Sequence, residues 1–160
     1  MATEDKFDGA KKVFTMFFAY LNTVAQEIGM EQAAALDTKV DETMGTAQGK
    51  MIKEQAGIEE IDVKAATLMA INSIREDFGI ISEVIEESPQ RAVTRCARCP
   101  VYEAAQTAGL DAETIETLCR TGSIRYMDAM VKQLNPNLSY QLRKFRSAAD
   151  DFCEEEILLG

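Results

Sequence analysis

From Phe7 to Ile28 apolar residues recur at three- and four-residue intervals, among them Phe7, Val13, Phe14, Phe17, Phe18, Leu21 and Val24. That spacing lines one face of an α-helix. The stripe holds most of the phenylalanines, which read first as core and second as the aromatic lining of a ligand pocket. A further amphipathic helix is expected from about Glu31 to Gln55, with Ala33, Leu36, Val40, Met44, Ala47 and Met51 on its apolar side. Gly45 and Gly49 interrupt it. Each costs up to about 1 kcal/mol relative to alanine within a helix, so the pair marks either a kink or a close approach of another element. Asp62 is placed to cap a third helix running to Phe78-Gly79.

At Ile80 the pattern changes. Ile-Ile-Ser-Glu-Val-Ile-Glu and Arg-Ala-Val-Thr-Arg-Cys flank Ser88-Pro89-Gln90, two β-rich runs around a turn. The second run leads into Cys96 and Cys99, after which Pro100 suits the first turn of a short helix to Ala108. Asp111 caps a longer helix that carries Cys119, Gly122 and Tyr126 and is stopped by Asn135-Pro136. Runs from Leu138 to Ser147 and from Phe152 to Leu159 form another hairpin. The expectation is one α+β domain over residues 1–160, helical over 1–78, whose two hairpins form a four-stranded antiparallel sheet with helices packed on it.

Composition narrows the function. Among 160 residues, 17 basic and 27 acidic side chains give a net charge of −10, with no basic stripe, so a nucleic-acid partner is not expected. Arg91, Arg95 and Arg98, and Arg143, Lys144 and Arg146, form local clusters that read as solvated strand faces or as sites for one small anionic group. The acidic start is unlike a secretory signal, and no run approaches the ~20 apolar residues of a membrane span. A cytoplasmic protein with reduced thiols is expected.

The candidate chemistry is sulfur. Without histidine, Ser-His-Asp and Cys-His catalysis are excluded, as is any histidine-bearing zinc site. Four cysteines lie in the C-terminal half, Cys96 and Cys99 as a Cys-x-x-Cys pair and Cys119 and Cys153 singly. If the hairpins are neighbours in one sheet, the end of the second strand meets the start of the fourth and the four thiols converge. Such a set suits zinc, or alternatively an iron–sulfur cluster. A redox or nucleophilic dithiol, its pKa lowered by Arg95 and Arg98, and merely buried thiols are the other readings. Tyr102, Gly122, Tyr126, Arg95 and Arg98 are candidate pocket residues. Glu154-Glu155-Glu156 reads as a solvated edge. The wide apolar stripe of the first helix suggests pairing with a second copy of the chain.

Cys96-x-x-Cys99-Pro100-x-Tyr102, a helix carrying Cys119, Asn135-Pro136 at a helix end, and Asp150-Asp151-Phe152-Cys153 opening the last strand resemble the L-2-amino-thiazoline-4-carboxylic acid hydrolase-like family. The ending also resembles 4-vinyl reductase-type domains, although Ala149 stands where those have glycine. The resemblance spans roughly residues 30–159 and implies an α+β domain that binds a small molecule. It further implies hydrolysis of a cyclic amidine or thiazoline-like substrate, with a metal on Cys96, Cys99 and Cys119 and Cys153 nearby. The alternative is a non-enzymatic ligand- or redox-sensing or carrier domain.

Overall fold

The computed structural model describes residues 2–160. Three helices come first, α1 (Thr3–Ile28), α2 (Met30–Ala56) and α3 (Val63–Phe78). Asp62 caps α3 by accepting the Ala65 amide, and Gly79 ends it in the left-handed conformation at φ 68°, as the sequence leads one to expect. The first hairpin is β1 (Ser82–Glu87) and β2 (Arg91–Cys96). Next come α4 (Pro100–Thr107) and α5 (Ala112–Leu118), the latter capped by Asp111. A π-helical turn (Cys119–Ser123), α6 (Ile124–Leu134), β3 (Leu138–Lys144) and β4 (Cys153–Leu159) complete the chain.

The strands form one antiparallel sheet in the order β1-β2-β4-β3, so the α+β architecture with two neighbouring hairpins is the one the sequence predicts. Cys96 at the end of β2 pairs directly with Cys153 at the start of β4. Two apolar clusters build the core. One joins the sheet to α3 and α6 through residues such as Ile74, Met127, Val131 and Ile157; the other joins α1, α4 and α5 through Phe18, Leu21, Val101, Tyr102 and Leu118.

Two sequence expectations change. The long helix after Asp111 is interrupted by the π-helical turn, which hydrophobic spacing does not reveal because the apolar face continues through it. More consequentially, α2 does not bury its apolar stripe: Leu36, Val40, Met44 and Met51 are exposed, while Ala33, Ala34, Asp37, Gly45 and Gly49 face inward. The glycines explain the inversion. A Cβ on Gly45 would lie 2.1 Å from the Tyr126 carbonyl oxygen, and one on Gly49 would lie 2.4 Å from that of Met130. Helix α2 stays unbroken and lies backbone to backbone on α6, a contact only small residues allow. On α1, Val13, Met16 and Tyr20 are also exposed, the surface that pairing with a second copy would use.

Gly49→Ala provides the test of this contact. At a free helix surface alanine would gain about 1 kcal/mol over glycine; here overpacking should instead cost about 1–3 kcal/mol. Urea unfolding reads the sign, and a stabilised variant would contradict the close approach.

Candidate functional site

Between the two apolar clusters lies a cavity of about 340 Å³, at the lower end of the ~300–1,000 Å³ usual for small-molecule pockets. Its floor is the inner face of the sheet. Alternation along β4 aims Cys153 and Glu155 inward with Ile157, while Glu154 faces out to Arg95 and Arg143. Neighbouring strands add Ser82, Cys96 and Tyr140; α1 supplies an aromatic wall of Phe14, Phe17 and Phe18; α4 supplies Tyr102. All four cysteines line this one space and none is in a disulfide.

Their environments differ. Cys99 is the residue before Pro100 at the start of α4. Its hydrogen bond with Cys96, together with the backbone amides of Tyr102 and Val101 and the charge of Arg146, brings its pKa down from 9.0 to about 7 against the opposing effect of burial. Oriented amides at a helix start favour an anion, which is why thiolates occur there. The same hydrogen bond, with burial, holds Cys96 well above the usual thiol range, and the Cys96 thiol donates to the Arg98 carbonyl at 3.1 Å. Burial also pushes Cys119 and Cys153 up. One thiol of four is thus prepared to ionise near neutral pH.

The cation that serves this cluster is Arg146. It is only 2% exposed; its Nε donates to Cys153 Sγ at 3.3 Å, and its two terminal nitrogens donate to the carbonyls of Ala97 and Cys96 at 3.0 Å each. The guanidinium also stacks on Tyr102, 5.0 Å from the ring centroid. Glu155 completes the set. Burial, and then the charge of Cys99, raise its pKa to about 7, while hydrogen bonds from Tyr140 and Thr94 and the charge of Arg146 act the other way.

Several expected roles shift accordingly. Arg95 and Arg98 do not line the cavity: Arg95 pairs with Glu154 and lies over Phe152, and Arg98 pairs with Glu4 and Glu103 over Phe7. Tyr102 and Tyr126 are lining residues, whereas Gly122 packs against Asp37 and Asp41. Zinc or an iron–sulfur cluster is not supported by the arrangement. Although Cys96, Cys99, Cys119 and Cys153 converge on one cavity, no group of three or more cysteine or carboxylate side chains among the described residues is disposed to hold a metal ion. A guanidinium already supplies positive charge among the thiols. Arg146, read as part of a solvated strand face or a small-anion site, and Glu155, read as a solvated edge, are the charged residues that the sequence did not assign to this cluster of thiols. The period-two run Cys153, Glu155, Ile157 was the available signal for Glu155.

The Cys99 environment is measurable by alkylation. Iodoacetamide should modify Cys99 first, with a rate that rises through pH 7, and Arg146→Met should move that midpoint upward. Leaving buried carbonyls unpaired should also cost the variant at least about 2 kcal/mol of stability. A Cys99 midpoint near 9 in the wild-type protein would contradict this electrostatic description.

Known proteins share this fold and place the chain. The phenol-responsive sensory domain of the transcription activator PoxR, solved with phenol, is similar to it at a TM-score of 0.67 and 11% identity, over 91% of this chain and 74% of that one. The trafficking protein particle complex subunit 3 from Naegleria fowleri, solved covalently bound to palmitic acid, is similar at a TM-score of 0.64 and 13% identity, over 94% and 95%. At such identities the likeness is one of fold. No curated protein sequence matches, and no helix among the described residues is long and apolar enough to cross a membrane. The sequence profile described as L-2-amino-thiazoline-4-carboxylic acid hydrolase matches residues 10–155, nearly the whole chain, and the chain therefore belongs to that family.

Proposed function

We propose that the chain is a hydrolase of a small cyclic amidine of the thiazoline type, bound in the cavity between sheet and helices, with Cys99 as nucleophile and Glu155 as acid and base. The observation that carries this reading is the position of the Cys99 thiol, which lines the cavity at the start of α4, where Cys96, the amides of Tyr102 and Val101 and the charge of Arg146 favour its thiolate. The family's name supplies the substrate class, and the aromatic wall supplies a surface for a flat ring.

The steps follow from the chemistry of the ring. Cys99 Sγ adds to the carbon held between the ring nitrogen and ring sulfur of the protonated amidine, and the C=N electron pair moves to nitrogen, leaving it neutral. The lone pair of nitrogen then expels the ring sulfur, which takes the proton of Glu155, leaving a protonated isothiourea on Cys99. Water loses one proton to the Glu155 carboxylate as its oxygen adds to the same carbon. Collapse releases the Cys99 thiolate and a ureido product, and the remaining hydroxyl proton passes to solvent. One water is consumed, and both side chains return to their starting states. Arg146, fixed beside Cys153 and near Cys99, stabilises the anionic thiolate before attack and after release.

A thiolate and a protonated carboxyl are required together. Below pH 7 Cys99 is increasingly a thiol, and above pH 7 Glu155 is increasingly a carboxylate, so both limbs of the pH–rate profile should fall away from an optimum near 7. Hydrolysis of 2-amino-thiazoline-4-carboxylate, followed by release of free thiol, reads this directly. Glu155→Gln should lower the rate by about a hundredfold or more and Cys99→Ser should abolish it. A Cys99→Ser protein with wild-type turnover would refute the assignment.

A further inference from the structure

We propose that Asp37 and Asp41 form a cation-binding subsite in the wall of the cavity, one that takes the protonated amidine or a comparable organic ammonium group of the ligand. The inference rests on the reading of this cavity as a ligand site and deepens it by assigning the charge of the molecule that enters; it does not depend on what Cys99 does to that molecule.

The two residues are four apart on α2 and so share one face of the helix. Both line the cavity. They are held together from the other side by the π-helical turn, which sets Gly122 against them. The place a Gly122 Cβ would occupy lies 2.7 Å from Asp41 Oδ2 and 3.0 Å from Asp37 Oδ2. Any larger residue at position 122 would push into the carboxylates. A π-helical turn interrupting an α-helix is often found at functional positions, and here it creates this fit.

Among the described residues no side chain pairs with or donates to either carboxylate. Asp37 is only 8% exposed, yet burial alone acts on it, raising its pKa to about 6; burial and then the charge of Asp37 raise Asp41 to about 7. The charged groups around them are of no help. Arg125 on α6 is engaged by Glu42, the residue after Asp41. Buried carboxylates are ordinarily paired, so an unpaired one aimed into an apolar cavity points to a partner that arrives from outside.

The chemistry of the cavity selects the kind of partner. A divalent ion such as calcium takes about six to eight oxygen ligands, which two carboxylates do not approach, and among the described residues no third ligand joins them. A flat organic cation fits better. Its N–H groups can donate to both carboxylates while its body lies against Phe14, Phe17 and Phe18, whose ring faces also attract positive charge. Ser82 Oγ, enclosed in the same cavity and without a hydrogen-bond partner, offers one more polar contact.

Benzamidine and its neutral relative benzamide separate charge from shape. Titration calorimetry of the intact chain at pH 8, where both carboxyls are ionised, should show benzamidine binding with an affinity at least about tenfold above that of benzamide. Asp37→Asn should remove that advantage and leave benzamide binding unchanged, and Asp41→Asn serves the same purpose should the first variant not fold. Benzamidine binding no tighter than benzamide, or benzamidine affinity unchanged in both aspartate variants, would overturn the proposal. If the wild type binds benzamidine in this aspartate-dependent way but hydrolyses no thiazoline, the hydrolase assignment fails and the cation subsite stands.

Discussion

The buried guanidinium of Arg146 is the interaction on which the site depends. By donating to the carbonyls of Cys96 and Ala97 and to the sulfur of Cys153, it ties the turn after β2 to the chain entering β4. That turn leads to Cys99 and the start of α4, so the direction of the helix and the position of its first amides are set by the same contact. Burying a cation is costly unless it is paired and fully hydrogen-bonded. Here the cost is offset by two carbonyls and a cluster of thiols, one of which is drawn toward ionisation. Structure and reactivity share one cause at this point: the group that closes the fold also supplies the charge that favours a thiolate.

A second constraint lies on the opposite side of the cavity, where α2 meets α6. With glycine at positions 45 and 49 the helices approach backbone to backbone, and this turns the larger apolar residues of α2 outward. The face toward α6 is left with small residues, and Asp37 and Asp41 line the cavity together with Val40 and Met44. The cavity is therefore asymmetric, with Cys96, Cys153 and Glu155 on its sheet side and two aspartates on its α2 side. A small cyclic cation lying between them would present its electrophilic carbon to one side and its charge to the other. The phenol-responsive sensory domain and the palmitate-bound trafficking subunit share this fold with the chain.

Much of the fold was legible in the sequence, because helix spacing, the caps at Asp62 and Asp111, and the turn at Ser88-Pro89-Gln90 are local signals. The meeting of Cys96 with Cys153 followed from hairpin order alone. What was not legible depended on tertiary contacts. A wide apolar stripe on α2 predicts an inward face only if no other element needs closer approach, and Gly45 and Gly49 impose such an approach. Charged residues on short strands read as solvated unless their alternation is followed, which hid Glu155; Arg146 lies beyond the end of β3, where no periodicity applies. Four cysteines without histidine suggest a metal, and nothing in their spacing shows that a buried arginine donates to one of the sulfurs. The thiols were found; the partner that decides their chemistry was not.

The central claim is that Cys99 is the nucleophile. It is tested most directly by mixing the protein with 2-amino-thiazoline-4-carboxylate, quenching with acid and mapping the covalent adduct by mass spectrometry. The account predicts a substrate-derived isothiourea on the peptide that carries Cys99, absent from Cys99→Ser protein. Turnover with no adduct on Cys99, or an adduct on Cys96, Cys119 or Cys153 instead, would contradict it.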